Sequence, residues 1–162
     1  MRKFLLATCV ILLSAIPTMA QEEHAATPKV EVFGGYSYLR LYGENNNGGE
    51  AAVTGNINEW FGVTGDFSAY RGVDTHDTNG FALVGPRFTY RRGAITPFAH
   101  FLFGGAFGSG DGAGAMALGG GVDAKLSKRF AIRLIQADYV ATTLRSNNGR
   151  ISAGIVFRFG ER

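Results

Sequence analysis

Three histidines, His24, His76 and His100, are the side chains of this chain that titrate nearest neutral pH, so chemistry is sought around them first. Acyl hydrolysis needs a nucleophile, a base and an orienting acid within mutual reach. His24 lies in the polar stretch "QEEHAATP" and has no such surroundings. His76 lies in "VDTHDTN" between Asp74 and Asp77, a set that could hold a metal weakly but reads as a solvated loop. His100 stands mid-segment in "FAHFLFGG" and reads as an interior polar residue rather than a base. "GSGDGAG" is rich in glycine, yet it joins two extended segments and opens no helix, so it is no phosphate-binding loop. The lone cysteine, Cys9, allows neither a disulfide nor a cysteine-based metal site. The expectation is a protein without catalytic residues, metal or cofactor.

Those residues have to be placed by the elements around them. The chain opens "MRKFLLATCVILLSAIPTMA". Arg2 and Lys3 make a basic start, Phe4 to Ile16 an apolar run too short to span a bilayer, and Pro17, Thr18 and Ala20 a break with small residues. This is the pattern of a helical secretory signal peptide, residues 1–20, cut after Ala20. A polar tail, 21–28, follows, and then one domain, 29–160. Without the signal, fourteen basic residues face thirteen acidic ones, so the pI of 9.2 is no argument for nucleic acid.

Eight segments of the domain have strand-like composition: 29–42, 49–57, 60–70, 80–91, 97–107, 115–125, 130–142 and 150–159. None carries a sustained helical period. Gly-, Asn- and Asp-rich connections ("GENNNG", "RGVDTHDTN", "GSGDGAG", "TLRSNNG") alternate with the tighter "NINEW", "RRGAIT" and "KLSKR". Long loops at one end and short turns at the other describe an all-β fold, an eight-stranded antiparallel up-and-down transmembrane barrel.

Alternation then assigns the faces. Phe61, Val63, Gly65, Phe67 and Ala69 share one face of the third segment; Gly62, Thr64, Asp66, Ser68 and Tyr70 share the other. Met116, Leu118 and Val122 likewise oppose Ala117, Gly119, Gly121 and Asp123. A soluble lipocalin-like barrel binding an apolar ligand would turn the apolar face inward. Three features oppose that. The other face carries mostly Gly, Ala, Ser and Thr with isolated charges, which suits a cramped interior better than water. Aromatic residues gather at segment ends: Trp60, Phe61, Phe88, Tyr90, Phe98, Phe130, Phe157 and Phe159 at the short-turn end, Tyr38, Tyr42, Phe67, Phe107 and Tyr139 at the loop end, as in the two girdles of a membrane barrel. The chain also stops almost at the end of its last strand, where a lipocalin normally adds a helix.

The seventh segment breaks the pattern. Arg133 has odd parity, Gln136 and Asp138 even, and all three should avoid lipid. A bulge near Leu134–Ile135 would reconcile them. The inward charges are then Glu31, Asp66, Arg87, Asp123, Arg133, Asp138 and Arg158, with His100. An unpaired charge in a narrow lumen is costly, so pairing is expected: Asp66 with Arg87, Asp123 with Arg133, and Glu31 with Arg158 where the barrel closes. Such a network would plug the lumen.

The final strand, "Ser152-Ala-Gly154-Ile-Val-Phe157-Arg-Phe159", resembles the C-terminal signal read by the outer-membrane assembly machinery. "EVFGGYSYLR" at Glu31–Arg40 resembles the opening strand of the small OmpA-like outer-membrane barrels, and "GPRF" and "PFAH" add to the likeness. The resemblance covers Val30 to Phe159. It implies that Phe157 and Phe159 face lipid and that Ser152, Gly154, Phe157 and Phe159 carry the assembly signal. It also implies an outer-membrane location after signal removal, a monomer among outer-membrane lipid and lipopolysaccharide, and a structural role in the envelope. Some eight-stranded outer-membrane barrels modify lipid A, but the deacylases among them carry a serine two residues after the histidine, where this chain has Leu102.

Overall fold

The computed structural model describes residues 27–41, 43–73, 78–108, 112–143 and 148–161. The signal peptide, His24, Tyr42, Asp74, His76 and Asp77 lie outside the described residues. The domain is a closed barrel of eight strands in sequence order: β1 (Pro28–Leu41), β2 (Glu44–Asn56), β3 (Phe61–Gly72), β4 (Thr78–Thr89), β5 (Ile95–Phe107), β6 (Ala113–Lys125), β7 (Phe130–Thr142) and β8 (Asn148–Glu161). Each strand pairs antiparallel with the next, and β8 returns to β1, so no hydrogen-bonding edge is left open.

All eight expected strands are present, but their ends differ from the expectation at the Gly/Asn-rich end. Asn45, Asn46 and Asn47 pair with Arg40, Leu39 and Tyr38, so most of "GENNNG" is strand. Gly43, at φ +89°, supplies the left-handed conformation a tight hairpin needs. The connections at that end are residues 42–43, 73–77, 108–112 and 143–147; at the other end they are 57–60, 90–94 and 126–129. The expected contrast between long loops and short turns is therefore absent. Polar composition does not keep a segment out of a ladder when a neighbouring strand is there to bond its backbone.

The barrel is polar inside and apolar outside. Val63, Phe67, Leu118, Ile151, Phe157 and Phe159 are exposed on the outer surface, while Glu31, Asp66, Arg87, Asp123, Arg133 and Arg150 are buried within. At the loop end the inward positions turn apolar, with Leu39, Leu41, Tyr70, Phe81, Leu102 and Val140 packed together. A smaller cluster, Phe33, Ala52, Ala131 and Val156, lies among the charges further along.

The bulge sits where parity requires it. Val122 faces Ile135 and Asp123 faces Arg133, leaving Leu134 unmatched on β7. The β7–β8 register shifts at the same place, between Arg133 and Gln136. Leu134 and Ile135 consequently both face out, and Arg133, Gln136 and Asp138 all face in.

One aromatic assignment is corrected. Phe98 is not part of the girdle: it is buried in the lumen, with the guanidiniums of Arg87 and Arg133 at 3.9 and 4.4 Å from its ring centre. It shares inward parity with His100, and its ring offers the arginines a polarisable surface. Trp60, Phe88 and Tyr90 are exposed as the girdle requires, and Phe130 packs on Phe157 at 4.9 Å.

Candidate functional site

The charged residues of the lumen fall into two groups. Near the chain termini, Glu31 is opposite Arg158 across the β1–β8 seam, and Arg158 Nε donates to Glu31 Oε1 at 3.1 Å. Arg91 donates to both oxygens of the same carboxylate, at 3.2 and 3.1 Å. Arg87 Nη2 lies 4.0 Å from Glu31 and donates to Asp123 at 3.0 Å. Asp123 also accepts from Arg133 Nε at 2.8 Å. Four arginines thus surround two carboxylates. Arg87 Nε, Arg91 Nε and Arg158 Nη2 are buried with no protein hydrogen-bond partner among the described residues.

Toward the loop end the balance reverses. Arg150 reaches Asp66 at 3.0 Å, Asp138 at 2.7 Å and Glu50 at 3.6 Å. His100 Nε2 is 2.8 Å from Asp138. Ser152 donates to Glu50 at 2.6 Å and is bonded to Ser37 at 2.7 Å. Three carboxylates here meet one arginine and one histidine.

Gln136 stands between the groups. Its Oε1 accepts from Arg133 at 2.6 Å, and its Nε2 donates to Glu50 at 2.9 Å and Asp138 at 2.8 Å. Its amide dipole follows the local charge: oxygen toward the cations, hydrogens toward the anions. A neutral amide suits this position because it both accepts and donates, which no single charged side chain does.

The expected inward residues are all in the lumen, but not all in the expected pairs. Asp123–Arg133 and Glu31–Arg158 are in contact. Asp66 and Arg87 are not paired: Asp66 faces Leu83 and Arg87 faces Gly62, which puts them four residues apart along the ladder. Asp66 instead reaches across to Arg150, and Arg87 across to Asp123. Glu50, Arg91 and Arg150 belong to the network and were absent from the sequence-based set. Glu50 and Arg150 could have been found, because each has the inward parity of its strand. Arg91 could have been found too: it closes the expected segment 80–91 on the parity of Arg87, although the strand itself ends at Thr89.

Asp138 serves His100 as an acid partner, but the position two residues on is Leu102, fully buried in the apolar cluster. Among the described residues, no group of three or more His, Cys, Asp or Glu is placed to hold a metal ion. Of the assembly-signal residues, Phe157 and Phe159 are exposed outward, Ser152 is buried, and Gly154 packs against the backbone of Gly34 and Gly35, where a Cβ would collide with it.

No protein-family model matches the chain, and no curated protein resembles it significantly in sequence. Solved structures do resemble it in fold. The attachment invasion locus protein Ail of Yersinia pestis superposes with a TM-score of 0.59 at 18% identity, covering 82% of this chain and 99% of Ail. Neisserial surface protein A gives 0.62 at 13% identity, covering 80% of this chain and 96% of its own. The N-terminal β-barrel domain of Pseudomonas aeruginosa OprF gives 0.63 at 10% identity, covering 82% and 98%. Identities this low speak for the fold. The fold is the small eight-stranded barrel of outer-membrane proteins.

Proposed function

We propose that this chain is an integral outer-membrane barrel whose lumen is closed by its own side chains, and that its role is structural, in the integrity of the envelope. The observation that carries the membrane reading is the inverted distribution of polarity. Leu118, Phe67 and Phe159 are 59%, 55% and 55% exposed on the outside, while Arg133, Arg150 and Asp123 are 2%, 1% and 0% exposed within. In water that arrangement would expose a broad apolar belt. In lipid it keeps the charges of the lumen away from hydrocarbon, and the outward Arg40 and Arg71 stand near the strand ends. A soluble ligand-binding barrel needs the opposite arrangement.

Closure of the lumen is supported by ion pairs that run across it, Asp66–Arg150 and Arg87–Asp123, and by the apolar cluster toward the loop end. Eight strands leave an interior that side chains can fill. The assembly machinery and the surrounding lipid, with lipopolysaccharide in the outer leaflet, are then the partners, and the barrel acts as a monomer.

Planar-bilayer recording of the refolded protein tests the closed lumen. A silent membrane is expected, and stable high-conductance openings in the wild type would overturn it. Membrane insertion is tested by fractionation: the protein should require detergent and migrate differently on gels before and after heating. A deletion strain should show altered envelope permeability if the role is structural.

A further inference from the structure

A groove of about 400 Å³ runs over the outer surface of β4 and β5 at the end that carries the chain termini, lined by Trp60, Phe88, Tyr90, Pro97 and Ala99. Its floor is apolar. The indole of Trp60 stacks on Phe88 with ring centres 6.1 Å apart and planes within 13°. Arg92 does not line the groove, but its guanidinium stands 5.3 Å over the ring of Tyr90, one of the lining residues. That contact holds a cation at the edge of the groove without neutralising it. Arg91, next in sequence, differs: it turns inward and is spent on Glu31. The exposed Lys128 and Arg129 stand on the turn that follows β6, at the same end, and the carboxylate on these turns is Glu59.

We propose that this groove binds one acyl chain of an anionic phospholipid of the periplasmic leaflet, with the phosphate of its headgroup held by Arg92. The proposal rests on the membrane reading above, and on the periplasmic placing of both termini that an even number of strands allows. A shallow apolar depression open to the hydrocarbon side, with a cation held beside one of its lining rings, suits an anionic amphiphile. Tyr90 and Trp60 are girdle residues that place the groove mouth at headgroup depth. A guanidinium there offers forked donors to phosphate oxygens. A zwitterionic phospholipid carries the same chain and phosphate but brings its own ammonium, which weakens the attraction.

The chain contains a single tryptophan, so Trp60 reports on the groove by itself. The full mature protein is refolded into vesicles of phosphatidylethanolamine and phosphatidylglycerol. One or the other lipid is brominated at the same acyl position and mole fraction. Bromine on phosphatidylglycerol should quench Trp60 as though that lipid were enriched about fivefold at the groove, the effect of one basic residue near an anionic surface. Arg92→Gln should bring the two lipids to equal quenching, while Lys128→Gln on the neighbouring turn should leave most of the preference. Equal quenching in the wild type overturns the proposal. So does an equal loss of preference in the two variants, which would mean diffuse attraction. Protection of Trp60 from both lipids that grows with protein concentration would mean that a second copy covers the groove, and overturns it too. A nitroxide at Leu118 separates these outcomes from a failure of the membrane reading: it reports lipid if the barrel is inserted and water if it is not.

Discussion

Glu31 and Arg158 meet at the seam where the last strand returns to the first, with Arg158 Nε 3.1 Å from Glu31 Oε1 and both side chains almost fully buried. The contact joins residues at opposite ends of the domain sequence, so it forms only when the barrel closes. Glu31 also holds Arg91 at 3.1 Å and lies 4.0 Å from Arg87, which makes its removal and that of Arg158 unequal. Glu31→Ala leaves Arg91 and Arg158 without a carboxylate, while Arg87 keeps Asp123, and should cost about 3–5 kcal/mol. Arg158→Ala leaves Glu31 with two cations and should cost about 1–3 kcal/mol. In urea unfolding of the refolded protein, the double variant should cost less than the sum of the two. Strict additivity would show that the seam pair carries no coupling.

The bulge at Leu134 makes a prediction that simple alternation does not. Leu134 and Ile135 are adjacent, yet 55% and 49% exposed on the same outer surface. Leu134→Arg and Ile135→Arg should each destabilise the inserted protein by about 2–4 kcal/mol near mid-membrane, falling toward zero near a rim. Spin labels at both positions should report lipid. A label that reports lipid at one and the lumen at the other would remove the bulge.

Gly119 leaves room for the ion pair opposite it. It faces Asp138 across the β6–β7 ladder, and a Cβ there would collide with Asp138 Oδ1 and with the carbonyl of Ala137. Gly119→Ala should therefore disturb the His100–Asp138 and Arg150–Asp138 contacts and destabilise by about 1–3 kcal/mol, as other forced overpacking does. Gly65→Ala is the control, since a Cβ at Gly65 meets nothing within 4 Å. Equal midpoints for the two variants would show that the lumen around Asp138 is loose.

Phe157 and Phe159 lie outward on β8, 41% and 55% exposed. Replacing both with Ala should reduce the amount of heat-modifiable protein in the membrane fraction and send the remainder to periplasmic degradation. The refolded double variant should lose less, because refolding into detergent bypasses the assembly step. Normal abundance of heat-modifiable protein in cells would remove the assembly role of these two side chains.

Much of the barrel was legible in the residues themselves. Alternation needs only the period of two that the strand backbone imposes, so the facing of Val63, Thr64, Leu118 and Arg158 follows from order along the chain. The bulge was legible for the same reason. Arg133, Gln136 and Asp138 cannot all avoid hydrocarbon without one extra residue between them, and burial in lipid penalises the alternative heavily. Pairing across the seam was legible because β1 and β8 must meet if the sheet closes.

The tertiary structure decided what lies across the lumen. Local order sets which side chains point inward but not which strands face each other through the interior, nor how far the ladders slide. The register of β3 on β4 separates Asp66 from Arg87, and the width of an eight-stranded barrel lets Arg150 span from β8 to Asp66 on β3. The same geometry brings Phe98 under two guanidiniums rather than into the girdle, and sets Gln136 between a cationic and an anionic group. Loop length also belonged to the structure. Asparagines that read as a loop become strand once Arg40, Leu39 and Tyr38 offer them backbone partners, because a paired backbone outweighs the weak local preference of asparagine for turns.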